Sequence, residues 1–407
     1  MSLITTTINW WLSPKLPRVH WELKDRKPKE YLWKYLIHPV KRRVARNYLL
    51  ILKKFFGLKV IGITGSAGKT TTKEMTASIL SQKGETVASL ANIDPVYNIP
   101  STILRCKPST KYLVLEMGVE YPGEMDFYLW LARVDIGVIT NIYPTHTVYF
   151  KNVEGVAQEK GKLIESLTKK GQAILNAENE RAREFSKKTQ AGVLLFGEVD
   201  VSASNISYDS RLNTKFTLTL PSGIINVHLP ILGSQFVENA LAAGTVAYAL
   251  GVSLEAVKKG LESFRVPEHR MKVIRHVSHA TIIDDSYNNN PQAARKALKV
   301  FKEVGEGKNK IVVFGDMLEL GEKEEQYHRE VAGLISGVNP DKVICVGPLS
   351  KIVAEVLSQK MGEKNIFWFS SYKPVYKTLR PLLKSNTIVL IKGSRSIGLD
   401  KVVSRLS

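Results

Sequence analysis

The segment Gly62-Ile-Thr-Gly-Ser-Ala-Gly-Lys-Thr-Thr-Thr gathers a glycine-rich turn, one lysine and a run of hydroxyls. Backbone N–H groups of such a turn converge on phosphate oxygens, and a helix beginning there adds partial positive charge. Lys69 would then bridge the β- and γ-phosphates of a nucleotide, while Thr70 offers its hydroxyl to Mg²⁺. Gly65, Ser66, Ala67, Gly68, Lys69, Thr70 and Thr71 are the expected nucleotide-binding residues. Strict phosphate-loop spacing is broken once, because Ile63 stands where a glycine is usual.

Two other residues suit the same chemistry. Glu116 ends a predicted strand, where α/β sheets hold their ligands, and its hard oxygens suit Mg²⁺. His146 follows another strand. Its type alone leaves it between a metal ligand and a structural histidine, since Mg²⁺ prefers oxygen.

Elements must place these groups. Short β-branched runs at 59–64, 112–116, 136–140 and 173–175 read as buried strands, with helical spacing at 71–83 and 153–168 between them. The alternation argues for a mostly parallel sheet covered by helices. Strand-like pieces at 216–220 and 224–229 flank Pro221-Ser222-Gly223 and predict a hairpin appended to that sheet. Helices follow at 236–250 and 254–264. A second α/β series, Rossmann-like, begins near Met271, with strands at 281–284, 311–314, 342–346, 366–368 and 388–391. The expected organisation is a basic aromatic segment over 1–58, an ATP-binding domain over 59–265 and a C-terminal domain over 266–407.

The chain has 407 residues, 24% of them charged and 44% hydrophobic, which suits folded domains rather than disorder. Two cysteines, Cys106 and Cys345, exclude a disulfide framework or a four-cysteine zinc site and fit a reducing cytoplasm. The net charge of +20 is uneven: residues 1–59 hold 14 Lys/Arg against 3 Asp/Glu, and the remainder 44 against 35. Trp10, Trp11, Trp21 and Trp33 share that basic stretch. No secretory signal or membrane-spanning run is visible. No nucleic-acid motif accompanies the charge, so no nucleic-acid partner is expected.

In order along the chain, the phosphate loop, Leu115-Glu-Met-Gly, Thr140-Asn-Ile with His146, Asp284-Asp-Ser-Tyr-Asn-Asn-Asn-Pro, Gly315-Asp-Met-Leu-Glu-Leu-Gly and Lys392-Gly-Ser-Arg resemble the Mur ligases, most closely the MurF type. That resemblance implies an ATP-dependent, ADP-forming amide ligase of peptidoglycan synthesis, using one or two Mg²⁺ ions and an acyl-phosphate intermediate. Its implied substrates are a UDP-muramoyl peptide and D-alanyl-D-alanine. The resemblance gives catalytic roles to Lys69, Glu116, His146, Lys160 and Arg270, with Lys160 the lysine that the family carbamylates. Metal binding falls to Thr70, Glu116 and His146. Asn239 would contact adenine, Arg270 the phosphates and Asp285 the ribose. Asn92, Asn141, Asn288, Asn290, Lys392 and Ser394 would line the substrate. ATP residues on two domains imply closure of one upon the other. A monomer in the cytoplasm is expected.

Departures accompany the resemblance. Lys162 replaces a usual Glu, His269 a usual Gly, and Gln235-Phe236 a usual His-Asn. Residues 1–58 are too short and too basic for the family's uridine-binding domain. Three readings of them compete: a reduced nucleotide clamp, a foot on an anionic membrane, or a helix packed on the ATPase domain, the last preferred for 40–56. Alternative functions are another Mur-type ligase with a different or lipid-linked acceptor, a folylpolyglutamate synthase-like ligase, or a membrane-associated nucleotide-binding scaffold.

Overall fold

The computed structural model describes residues 36–90, 93–145, 147–197 and 200–406. The expectations for Asn92, His146 and residues 1–35 lie outside them. The chain divides into two compact units. One runs up to Asn205 and adds Phe216–Val227 and Glu238–Arg265; the other comprises Ile206–Lys215, His228–Val237 and Val266 onward.

In the first unit, helix α1 (His38–Phe56) precedes strand β1 (Lys59–Thr64). Its C-terminus is closed by Gly57 at φ 69°, a left-handed conformation that glycine adopts without a Cβ clash. A six-stranded sheet then forms from β1, β2 (Thr86–Ala88), β3 (Tyr112–Glu116), β4 (Ile136–Ile139), β5 (Gln172–Asn176) and β6 (Gly192–Phe196). The order is β2-β3-β1-β4-β5-β6, and every pairing is parallel. Both faces are covered, so β1 reads as a continuous apolar run with five of its six residues buried. Helix α2 (Lys69–Ser81) leaves β1, and α3 (Pro95–Ile103), α4 (Glu124–Leu131) and α5 (Val153–Glu165) follow β2, β3 and β4. α1 buries Ala45, Leu49 and Leu52 in the same core as Val96, Ile99, Phe127 and Leu131.

The expected hairpin exists, as β8 (Thr214–Leu220) and β9 (Gly223–Leu229), but it does not extend the parallel sheet. It joins β7 (Ser202–Tyr208) in a separate three-stranded sheet. β7, Ser-Ala-Ser-Asn-Ile-Ser-Tyr, is mostly exposed and carries little of the alternation that announces a strand. Helices α6 (Gln235–Ala249) and α7 (Leu254–Glu262) follow.

The second unit holds another six-stranded sheet, β10 (Lys272–Arg275), β11 (Thr281–Asp285), β12 (Asn309–Gly315), β13 (Lys342–Val346), β14 (Ile366–Phe369) and β15 (Thr387–Lys392). Its order is β10-β11-β15-β12-β13-β14. Only β10 runs antiparallel, as an edge strand on an otherwise parallel sheet. Both sheets therefore agree with the α/β expectation.

Candidate active site

Strand order positions the phosphate loop. β1 lies between β3 and β4, so the loop leaving its C-terminal end opens where the sheet's winding reverses, the usual ligand crevice of such folds. Register then brings the neighbouring strand ends to it: Ile63 pairs with Glu116 on one side and Thr64 with Ile139 on the other. Gly65 and Gly68 have φ of 149° and 80°. A Cβ at Gly65 would collide with Thr140 Oγ1, and one at Gly68 with Asn239 Nδ2. Only glycine fits either place.

The side chains around the loop hold its backbone. Thr140 Oγ1 donates to Ala67 O at 2.6 Å. Asn141 accepts from Ala67 N at 2.8 Å and donates to Ala67 O at 3.2 Å, and its carbonyl accepts from Ser66 N. Asn141, expected to line the substrate, is buried and holds the loop with both ends of its amide. Ser66 Oγ donates to Tyr143 O and accepts from Tyr143 N, each at 2.9 Å. Lys69 Nζ donates to Gly65 O at 2.8 Å. Thr71 is buried, with no protein partner for its hydroxyl.

Thr70 and Glu116 meet directly: Thr70 Oγ1 donates to Glu116 Oε1 at 3.0 Å. Glu116 N is held by Ser89 Oγ at 3.2 Å. This pair of hard oxygens is the donor chemistry Mg²⁺ takes. Among the described residues no three His, Cys, Asp or Glu side chains gather as a metal site.

Lys160, on α5, is 1% exposed. Burial, and secondarily the charge of Lys69, hold its ammonium pKa well below the ordinary lysine value, against the pull of Glu124, Glu159 and Glu120. A buried, readily neutral amine is the nucleophilic form of lysine. The adjoining Glu159 accepts from Gly123 N at 3.0 Å and Met125 N at 2.9 Å, tying α5 to the first turn of α4. Lys162, in place of the usual Glu, pairs with Asp126 at 2.7 Å and Glu159 at 2.8 Å.

In the second unit, β11 and β15 are parallel neighbours in which Asp285 pairs with Lys392. Their side chains meet at 2.7 Å, and Lys392 Nζ also donates to Asn288 O at 2.9 Å. The lysine expected to handle a peptide carboxylate is thus buried on the aspartate expected to hold ribose. Asn290 accepts from Ala293 N at 2.8 Å, capping α8 (Pro291–Val304). Ser394 Oγ donates to Asp316 O at 2.8 Å. Tyr287 carries Arg270 over its ring at 4.6 Å and Arg395 at 6.0 Å. His269 sits at φ 59°, a conformation that favours the glycine it replaces. Its Nδ1 lies 2.7 Å from buried Asp284, which anchors the ring there.

The Mur ligase middle domain profile matches residues 63–247, and the Mur ligase glutamate ligase domain profile matches 269–395. A UDP-N-acetylmuramoyl-tripeptide–D-alanyl-D-alanine ligase of Buchnera aphidicola is 35% identical over 353 residues, 85% of this chain and 75% of its own. The chain belongs to the Mur ligase family. The Escherichia coli ligase of the same name is 32% identical, over 86% of this chain and 76% of its own. A MurF crystal structure from Acinetobacter baumannii superposes with TM-score 0.81 at 29% identity, over 91% of this chain and 80% of that one. Within this Mur ligase, several residues that hold the site had no role assigned to them from the sequence. Thr140, Ser89 and Glu159 bind backbone, a role any Thr, Ser or Glu can fill. Only the position of Thr140 at a strand end beside the loop could have drawn attention to it.

Proposed function

We propose that this Mur ligase joins D-alanyl-D-alanine to a UDP-N-acetylmuramoyl tripeptide, with ATP converted to ADP and phosphate. The observation that carries the reading is identity of 35% and 32% to ligases of that name across about three quarters of their length. The geometry of the loop and of Glu116 fits it.

The tripeptide's terminal carboxylate attacks the γ-phosphorus of ATP, and ADP leaves. The resulting acyl phosphate is attacked by the dipeptide's amine, and phosphate departs with the oxygen that was the carboxylate's. Two anions must meet in the first step, so fixed positive charge is the main requirement. Lys69 and the α2 N-terminus supply it on the first unit, and the family resemblance gives Arg270 a phosphate-binding role. Thr70 and Glu116, with His146, would hold Mg²⁺, which would supply charge neutralisation there. Asn239, which touches Gly68, and Asp285 receive the nucleoside. Asn92, Asn288, Asn290 and Ser394 receive the peptide substrates. Lys160, once neutral, is suited to carbamylation, which would replace a buried amine with an anion for the metal region. The protein works as a cytoplasmic monomer.

The test is ADP formation with each substrate pair. ADP should appear only when ATP, the UDP-muramoyl tripeptide and D-alanyl-D-alanine are all present, with product mass equal to the sum of the joined pieces less water. ADP release that ignores omission of either acceptor or dipeptide would remove this assignment.

A further inference from the structure

Helix α1 has two apolar faces. Ala45, Leu49 and Leu52 pack into the first unit. On the other side Val40, Val44, Ile51 and Phe55 are 42%, 51%, 47% and 68% exposed. At about 100° per residue these four lie within an arc of about 60°, and they run about 22 Å along the helix. Asn47 falls within the row, and Leu50, 48% exposed, borders it. Arg43 and Lys54 project on one flank and Lys41 on the other, by the same spacing. Scattered exposed apolar residues need no explanation, but four aligned on one helix face and rimmed by cations do.

We propose that this face docks on an anionic phospholipid bilayer, with the apolar row at the headgroup–acyl boundary and the flanking cations among lipid phosphates. Charge selects this occupant. Residues 36–59 contain seven Lys/Arg and no Asp or Glu. Arg42 is buried, Lys53 pairs with Asp135 at 2.9 Å and Lys41 donates to Ser101 Oγ at 2.8 Å, and no acidic residue of the helix offsets the positive charge beside the row. A second copy would bring cation against cation. Residues 1–35, with seven Lys/Arg against three Asp/Glu, share the same sign and complement the rim no better. An anionic surface complements both the apolar row and its rim. Among the described residues no helix is long and apolar enough to cross a membrane, so the geometry is that of a surface helix. The inference is independent of the proposed reaction, because its readout is partitioning and not turnover.

The experiment is flotation of the full chain with phosphatidylcholine vesicles, with and without phosphatidylglycerol, at low and physiological salt. Binding should be about tenfold or more tighter with phosphatidylglycerol and should weaken with salt. Val44→Ser with Ile51→Ser and Phe55→Ser should lower it about tenfold or more, with the melting temperature and solution turnover retained. Arg43→Gln with Lys54→Gln should lose most of the preference for anionic vesicles and needs no change in the apolar row. Equal binding to both vesicle types, unchanged partitioning of either variant, or a vesicle-free dimer dispersed by the apolar variant would overturn the proposal.

Discussion

Lys69 and Thr70 stand out in the sequence because phosphate binding by a loop depends on backbone geometry that leaves a glycine signature. Lys69→Ala should lower turnover about 10²–10³-fold, the usual cost of deleting one charge-stabilising donor, with the circular dichroism and melting temperature of the native chain. Near-normal turnover would remove the loop from catalysis. Lys160 offers a test with a definite sign. Its folded pKa is depressed by burial and by Lys69, while the unfolded value stays near ~10.4. Between those two values the unfolded chain binds a proton that the folded chain does not. Stability is therefore full above the unfolded value and falls as pH drops toward the folded one. In carbon-dioxide-free buffer, Lys160→Met should be more stable than the native chain at pH 7, with the difference shrinking toward pH 10. Parallel stability curves would contradict this. Burial itself was not readable from Lys160's surroundings in the sequence, nor was the register that places Lys392 on Asp285. Both depend on which elements become neighbours.

Elements were more legible than contacts. Parallel strands buried on both faces announce themselves as short apolar runs, and the strand at 342–346 coincides with β13 (Lys342–Val346). β7 was missed, and the hairpin was assigned to the wrong sheet, because exposed polar strands carry no such pattern. α1 was expected as a helix over 40–56, and the structure adds two residues at its start, from His38. The loop between β1 and α2 is the element on which most depends. Gly68→Ala should strain a φ of 80° and press on Asn239. The expected outcome is at least about tenfold weaker nucleotide binding, measured by titration calorimetry, with a stability loss of ~1 kcal/mol or more. Unchanged affinity would mean that the cradle is not the nucleotide site.

At the scale of the whole molecule, the chain folds as two α/β units with their own cores, one carrying Lys69 and the other Arg270. Family membership was legible because its motifs recur in order along both units. The decisive step is transfer of phosphate to a carboxylate before the amide forms, and isotope labelling follows it atom by atom. The tripeptide's terminal carboxylate would be labelled with ¹⁸O and the released phosphate examined by mass spectrometry after a single turnover. One ¹⁸O per phosphate is expected, because the carboxylate oxygen leaves with phosphorus when the amine attacks. Amide product accompanied by unlabelled phosphate would contradict the acyl-phosphate account.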